Sequence, residues 1–193
     1  TIKLVVDGLE SRKPYSYRFS VGDARSPQGR FRLPPPADQP LSALSYGVFS
    51  CSHWAWGYFN AYASAARAGL DFWLHLGDFI YEYEQGHYPN MEQAVRWHGM
   101  RPVGELLTLQ QYRQRYALTR EDADLQALSA AAPLIASWDD HDIANDPHAG
   151  GAQNHQPERG EGDWGARKRA AVRAISLYVV TLSSYLLGAR LIS

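Results

Sequence analysis

The sequence predicts an α/β domain with a parallel sheet, preceded by a short β-structured segment. Three apolar runs, LSYGVFSC, LDFWLHL and PLIASW, have the length and composition of buried strands, and helix-forming sequence separates them. Ahead of the first run, the prolines and glycines of residues 22–43 interrupt regular structure and predict a linker. The linker divides the chain into a small N-terminal part and a larger α/β part.

The composition is that of an ordinary globular domain and excludes several function classes. The chain has 193 residues, of which 45% are hydrophobic and 20% charged, with a formal net charge of -1. This charge balance gives no nucleic-acid-binding patch. The longest uncharged stretch, between Arg173 and Arg190, is short and contains serine and threonine, so no membrane span is expected. Cys51 is the only cysteine and, taken alone, resembles a small buried apolar residue.

Residues 1–34 have the pattern of the end of a β-sandwich. Apolar residues alternate with their neighbours over residues 2–6 and again over residues 15–19, around the turn signal Asp7-Gly8. The chain opens within what the pattern predicts to be a strand, without a secretory signal. We therefore expect that the natural protein has further sequence upstream.

A strand, a helix and a second strand follow the linker. Residues 44–51 and 70–76 are the two apolar strands, and the alanine-rich residues 59–68 between them favour a helix that ends at Gly69. A strand-helix-strand unit of this kind predicts a parallel pair. The two strands should therefore end at the same edge of the sheet.

The remainder of the sequence predicts more helices and a third strand. Thr119 is expected to cap the second long helix, because Asp122 follows three residues later. In order, the predicted elements are a surface excursion over residues 85–105 with a short helix near Met91–Trp97, helices over 106–116 and 121–131, a strand over 133–138, a polar loop over 145–165 and a helix over 163–174.

Polar side chains follow each of the three predicted strands. Cys51 ends the first, Asp78 follows the second, and the third runs into residues 139–142 (DDHD). Ligands bind beyond the carboxyl ends of parallel strands, so these groups should meet. Tyr81 lies three residues beyond Asp78. Carboxylates, a phenolate and an imidazole suit hard or borderline cations, and two such cations can hold a phosphoryl oxygen and generate a hydroxide nucleophile.

Each of these groups also has a purely structural interpretation. A Gly-Asp pair after a strand often forms a turn or a helix cap, and Tyr81 could serve in packing. The run at residues 139–142 is harder to explain without a cation, because its ionisable groups would repel one another. Among the histidines, His75 is expected in the core, His53, His148 and His155 in loops or lining the cleft, and His87 and His98 carry no signal.

Three segments of the chain resemble the alkaline phosphatase D (PhoD-like) family of calcineurin-like metallophosphoesterases. They are FSCSHWAWGYFNAYASAA, LDFWLHLGDFIYEY and PLIASWDDHDIAND, and the resemblance covers residues 44–173. Residues 1–34 resemble the end of the fibronectin-like domain that precedes the catalytic domain, through the Gly8-Leu9 turn and the YSYRF run. The implied fold is the N-terminal part of a metallophosphoesterase-like β-sheet sandwich flanked by helices.

The resemblance implies a ligand set for two metals. Cys51 and the phenolate of Tyr81 would bind ferric iron (Fe3+), and Asp78 would bridge the two metals. Asp140 would bind the second metal, which is calcium (Ca2+) in this family, and other divalent metals also suit these ligands. The resemblance thereby changes the interpretation of Cys51 from a packing residue to a metal ligand.

The resemblance also implies catalytic and supporting residues. His141, next to the ligand Asp140, would face the phosphate and stabilise the transition state or protonate the leaving group. Asp142 would support the ligands from behind. Asp139 and Asn145 match family positions whose role the resemblance does not define.

The implied function is hydrolysis of phosphate esters by a metal-bound hydroxide, with small phosphate monoesters or phosphodiesters as substrates. Export by the twin-arginine route to the periplasm or extracellular space is implied, although the chain carries no such signal. Residues 174–193 diverge from the family, and its later histidine ligands are missing.

A truncated or frame-shifted product and a fragmentary gene model are two explanations of the divergent tail. A genuine short homologue is another. The alternative function is an inactive remnant that keeps part of the metal site or serves only as a structural or interaction domain. An incomplete sheet would expose a strand edge and predicts self-association.

Overall fold

The structure is a computed structural model that describes residues 4–90 and 92–178. Within these residues it contains a parallel sheet of three strands, two small antiparallel strand pairs and four α-helices. No helix in this part of the chain is both long and apolar enough to cross a membrane. The α/β class predicted from the sequence is confirmed, while the sandwich and the fibronectin-like character of the first residues stay predictions.

The N-terminal part forms two nested antiparallel pairs. Strand β1 (Pro14–Tyr17) pairs with β4 (Gly29–Arg32), and β2 (Ser20–Val21) pairs with β3 (Ala24–Arg25) between them. Tyr15 stacks on Phe31 across the outer pair, with ring centroids 5.4 Å apart.

Two predictions for this part of the chain were wrong. Residues 4–6 are not in a strand, and the supposed linker of residues 22–43 contains β3 and β4. The prolines at 27 and 34 flank β4 without entering it, so the cross-strand contact of Tyr15 with Phe31 can form.

The parallel sheet has the order β5-β6-β7 and agrees with the predicted strands. Strand β5 spans Tyr46–Phe49, β6 spans Phe72–His75 and β7 spans Leu134–Ala136, and both neighbouring pairs are parallel. Helix α1 (Asn60–Ala65) connects β5 to β6, as the sequence predicted. Gly69, predicted as its end, has the left-handed φ of 70° that glycine tolerates. All three strands end at one edge of the sheet.

Three further helices pack near this sheet. Helix α2 spans Leu109–Arg120, α3 spans Ala123–Ala131 and α4 spans Trp164–Tyr178. Helix α4 continues into the first residues of the predicted divergent tail, whose positions 179–193 lie outside the described residues.

The prediction that Thr119 caps the N-terminus of a helix was wrong. Thr119 is buried within α2, and Asp122 caps α3 by accepting hydrogen bonds from Asp124 N and Leu125 N. Helices α2 and α3 are separated by only two residues, and the second of them, Asp122, stands directly before α3. Aspartate is one of the residues that most often cap a helix N-terminus.

Residues 79–108 form the long excursion between β6 and α2. Its only helical turn in the described residues is a short 3-10 helix at Trp97–Gly99, so the predicted helix near Met91–Trp97 is not found; Met91 itself is not described. Arg115 of α2, 2% exposed, holds the excursion in place. Its guanidinium donates hydrogen bonds to the carbonyl oxygens of Tyr81, Tyr83, Arg101 and Pro102.

Replacing Arg115 should destabilise the fold strongly. Arg115→Met keeps the aliphatic volume but leaves four carbonyl groups without their donor. We expect the free energy of unfolding to fall by about 3 kcal/mol in urea denaturation. Arg113→Met, at a less buried position of the same helix, should change it by less than about 0.5 kcal/mol. Equal effects of the two substitutions would contradict the role assigned to Arg115.

His75 should make stability depend on pH. It is fully buried, as expected for a core histidine, and burial lowers its pKa from 6.5 to about 4. The unfolded chain takes up a proton below pH 6.5, whereas the folded chain does so only near pH 4. Stability from this group is therefore complete above pH 6.5 and is lost as the pH falls towards 4, by up to about 1.4 kcal/mol per pH unit.

The test compares urea denaturation at pH 7 and pH 4.5. His75→Gln should lose less stability between these pH values than the wild-type protein does. His87→Gln, at an exposed position, should match the wild type. An unchanged pH dependence in His75→Gln would show that His75 does not carry the effect.

Candidate metal centre

The carboxyl ends of the three strands are joined by backbone hydrogen bonds. Cys51 N donates to Gly77 O at 3.1 Å, and Ser52 N donates to Asp78 O at 3.1 Å, which ties the segment after β5 to the segment after β6. Ser137 N donates to His75 O at 2.9 Å and ties the end of β7 to β6. The predicted convergence of the three strand ends is confirmed.

The turns at this edge have unusual backbone conformations. Cys51 and Asp78 have φ values of 55° and 54°, in the left-handed region that costs a non-glycine residue about 1–2 kcal/mol. Gly77 has φ 115°, and a Cβ there would lie 2.3 Å from Asp139 N. Only glycine at position 77 lets the chain after β7 pass directly over the turn after β6. Strain of this kind is typical of functional sites.

Asp78, Asp140 and His141 form a compact cluster. One potential ligand atom from each lies within 4.8 Å of the others. His141 N donates to Asp78 Oδ1 at 3.3 Å, and His141 Nε2 lies 4.0 Å from Asp140 Oδ2. Asp78 is 5% exposed, so burial raises its pKa, an effect that His141 and Tyr81 only partly oppose. Two carboxylates and an imidazole at this spacing suit a divalent or trivalent cation.

Tyr81 lies directly beside this cluster. Its hydroxyl donates to Asp78 Oδ2 at 3.1 Å, and its ring centroid is 4.5 Å from that of His141. Burial and the charge of Asp78 raise the pKa of Tyr81 far above its ordinary value. The side chain is therefore a neutral phenol unless a strongly charged cation displaces its proton. Tyr81 is thus a neighbour of Asp78 and His141, and its role as a metal ligand stays a prediction.

Cys51 lies in the turn after β5, beside the turn that carries Asp78, but its thiol is not among the three grouped ligand atoms. The expectation of a buried packing residue was wrong, because the side chain is exposed. Its backbone N–H donates to Gly77 O, directly before Asp78. Cys51 also borders an open cavity of about 300 Å³ whose wall includes the aromatic rings of Trp56 and Tyr58. The thiol is accessible, and its role as a metal ligand stays a prediction.

Asp142 is buried behind the cluster and holds both turns together. It is 1% exposed, and its Oδ2 accepts hydrogen bonds from Asp78 N at 2.8 Å and Asp139 N at 3.1 Å. Its Oδ1 accepts from the Tyr116 hydroxyl at 3.0 Å. Burial raises the pKa of Asp142 to about 7. Asp142 therefore ties the turn after β6 to the turn after β7.

Asp139 and Asn145 make local contacts in the turns around the cluster. Asp139 Oδ1 accepts from Asp140 N at 3.0 Å. The side-chain amide of Asn145 donates to Gln153 Oε1 at 2.7 Å and Asp146 Oδ2 at 3.2 Å. These contacts shape the loop that follows the cluster.

Glu82 is a residue of the site that sequence reasoning missed. Its side chain is 0% exposed, and its Oε2 lies 2.9 Å from His141 Nδ1. Burial alone would lower the pKa of His141, but the hydrogen bond and charge of Glu82, followed by Asp140 and Asp78, raise it overall. The sequence feature that could have identified Glu82 is its position as an acidic residue between two tyrosines in the GDFIYEY run. A carboxylate behind a histidine fixes the orientation of the ring.

The other histidines do not join the cluster. His53 and His155 are loop residues as predicted, but both are buried: His53 Nδ1 accepts from Ala55 N at 3.0 Å, and His155 Nδ1 lies 3.5 Å from Glu161 Oε2. Burial, with the charge of Arg115, lowers the pKa of His53 to about 3, so its ring is neutral. His148 is exposed.

Comparison with known proteins points to one family. Residues 46–179 match the model of the PhoD-like phosphatase family. Alkaline phosphatase D of Bacillus subtilis (strain 168) is 37% identical over 161 residues, which are 83% of this chain and 26% of that protein.

A solved structure described as the structure of PhoD is similar in both sequence and fold. It superposes with a TM-score of 0.79 at 36% identity, over 88% of this chain and 31% of its own. The chain thus spans about a quarter to a third of the length of these relatives. By sequence match and by fold, this chain belongs to the PhoD-like phosphatase family.

Proposed function

We propose that this chain carries part of the catalytic centre of a metal-dependent phosphoesterase that hydrolyses phosphate monoesters or diesters. The observation that carries the proposal is the cluster of Asp78, Asp140 and His141 at the carboxyl edge of a parallel sheet. Membership of the PhoD-like phosphatase family supports the same reaction class.

The residues present fit a pair of cations. Tyr81 and Cys51 offer a phenolate and a thiolate, which suit ferric iron, while the carboxylate of Asp140 suits calcium or another divalent ion. Asp78 lies next to both Tyr81 and the Asp140–His141 pair, because its carboxylate accepts hydrogen bonds from the Tyr81 hydroxyl and His141 N and is grouped with Asp140. When bound, cations here would neutralise charge on the phosphoryl oxygens and lower the pKa of the attacking water.

His141 is the residue of this chain best placed to act on the ester itself. Glu82 binds its Nδ1, so its Nε2 is directed to the side of Asp140. Since its pKa is raised, the protonated ring persists to higher pH and can donate a hydrogen bond to a phosphoryl or leaving-group oxygen. Asp142 keeps the two turns in register by accepting hydrogen bonds from both.

Removing the central carboxylate should abolish the activity. Asp78→Asn keeps the shape of the side chain but removes the charge that a cation needs. We expect hydrolysis of 4-nitrophenyl phosphate and bis(4-nitrophenyl) phosphate, assayed with iron and calcium, to fall at least about 100-fold. Asp23→Asn, at an exposed turn between β2 and β3, is the matched control and should retain wild-type activity. Wild-type activity in Asp78→Asn would refute the site.

Tyr81 should give a spectroscopic signature that does not depend on catalysis. Loading the protein with ferric iron should produce a visible charge-transfer band from the phenolate, and Tyr81→Phe should lack it. Tyr83→Phe, two residues further along, should keep the band. Persistence of the band in Tyr81→Phe would show that another group binds the iron, and its absence from the wild type would contradict the assigned ligand set.

A further inference from the structure

The buried Glu82 carboxylate is held by more than His141. Its Oε1 accepts a hydrogen bond from Asn145 N at 2.6 Å and another from Asn154 Nδ2 at 2.6 Å. Its Oε2 faces His141 Nδ1 at 2.9 Å. Because the side chain is 0% exposed, these donors replace the water that would otherwise solvate the carboxylate. The two oxygens therefore have different roles: Oε1 is anchored by two hydrogen-bond donors, and Oε2 orients the His141 ring.

Asn154 is itself fixed by a buried arginine of α4. Arg167 Nη1 donates to Asn154 O at 2.9 Å, and the Arg167 side chain is 0% exposed. Arg167 Nη2 is paired with Glu105 Oε1 at 2.7 Å. The loop that carries Asn154 is thus anchored to α4 independently of the metal cluster, and the amide of Asn154 reaches Glu82 across 72 residues of sequence.

Ring packing alone does not set the orientation of His141. Tyr81 and Tyr83 lie with ring centroids 4.5 Å and 5.4 Å from the His141 ring, and such contacts are similar for an imidazole rotated by half a turn. The hydrogen bond to Glu82 distinguishes Nδ1 from Nε2. Loss of an anchor would let the Glu82 carboxylate rotate away from Nδ1, and the ring would then be free to change its tautomer.

We propose that Asn154 is a positioning residue: by anchoring Oε1 of Glu82 it fixes the Nδ1–H tautomer of His141, so that Nε2 faces the Asp78–Asp140 side. The inference deepens the proposed function, since the value of this orientation rests on His141 acting on the phosphate ester. The orientation itself is a property of the metal-free chain and can be measured without any activity.

The test is nuclear magnetic resonance of the metal-free protein labelled with 15N in its histidine rings, at a pH where the rings are neutral. The His141 signals are identified by their loss in His141→Gln. The wild type should show His141 as the Nδ1–H tautomer. Asn154→Ala should convert it to a mixture or to the Nε2–H tautomer that predominates for free imidazole in water. A wild-type tautomer retained in folded Asn154→Ala would overturn the proposal.

Gln156→Ala is the matched control on the same loop. Gln156 Nε2 donates to Gln153 O at 2.9 Å, a loop contact that does not involve Glu82. Its removal should leave the His141 tautomer unchanged. A tautomer change of equal size in Gln156→Ala would mean that Asn154 acts only as a structural part of the loop, and would also overturn the proposal.

Glu82→Gln provides a second test of the Oε1 anchor if Asn154→Ala does not fold. With Asn145 N and Asn154 Nδ2 holding the amide oxygen, the new amide nitrogen must face His141 Nδ1 and donate to it. The tautomer should therefore invert fully to Nε2–H, and retention of Nδ1–H would show that Oε1 is not anchored. Because none of these measurements uses phosphatase activity, an inactive wild type would count against the proposed function and leave this inference to be judged separately.

Discussion

The turn after β6 and the turn after β7 are hydrogen-bonded directly to each other, and the candidate site depends on that contact. Asp142 accepts from Asp78 N at 2.8 Å, and His141 N donates to Asp78 Oδ1 at 3.3 Å. The missing side chain of Gly77 leaves the room for it. Asp78 lies on the turn after β6, whereas Asp140 and His141 lie on the turn after β7. A displacement of either turn would therefore move the Asp78 carboxylate away from both Asp140 and His141.

Two helices support this contact from different sides. Arg115 of α2 binds the carbonyl groups on either side of Glu82, which places the carboxylate, and its positive charge compensates a buried negative one. Arg167 of α4 fixes the loop of Asn154 behind the same carboxylate. Buried acidic groups whose pKa values are raised, such as Asp78 and Asp142, are costly in the metal-free protein. A cation at the cluster would offset that cost, which is why the arrangement suits a metal centre.

Much of this arrangement could be predicted from sequence, because it follows from local patterns. Apolar runs with polar ends gave the three strands and their parallel order, and the convergence of Asp78, Asp140 and His141 followed from the rule that parallel strands end at one edge. Glu82 could not be predicted in the same way. Its burial depends on a donor 72 residues away and on Arg115, and neither contact leaves a local pattern.

The other errors have the same origin. Cys51, which taken alone resembled a buried apolar residue, is exposed in a left-handed turn that is held by the hydrogen bond from Cys51 N to Gly77 O. Strand β4 was not predicted, because the surrounding prolines indicated a linker. The strand is stabilised by Phe31 stacking on Tyr15 of β1, a contact that the local sequence does not reveal. In each case the deciding interaction joins residues distant in sequence, whereas the correct predictions concerned periodicity within one element.

The most direct test of the central claim is crystallography of the protein soaked with iron and calcium, using anomalous scattering recorded on both sides of the iron absorption edge. We predict an iron peak among the side chains of Asp78, Tyr81 and Cys51, and a second cation next to Asp140. An ordered crystal with no peak at this edge of the sheet, or with iron bound only at surface histidines such as His87 and His148, would contradict the assignment of a metal centre.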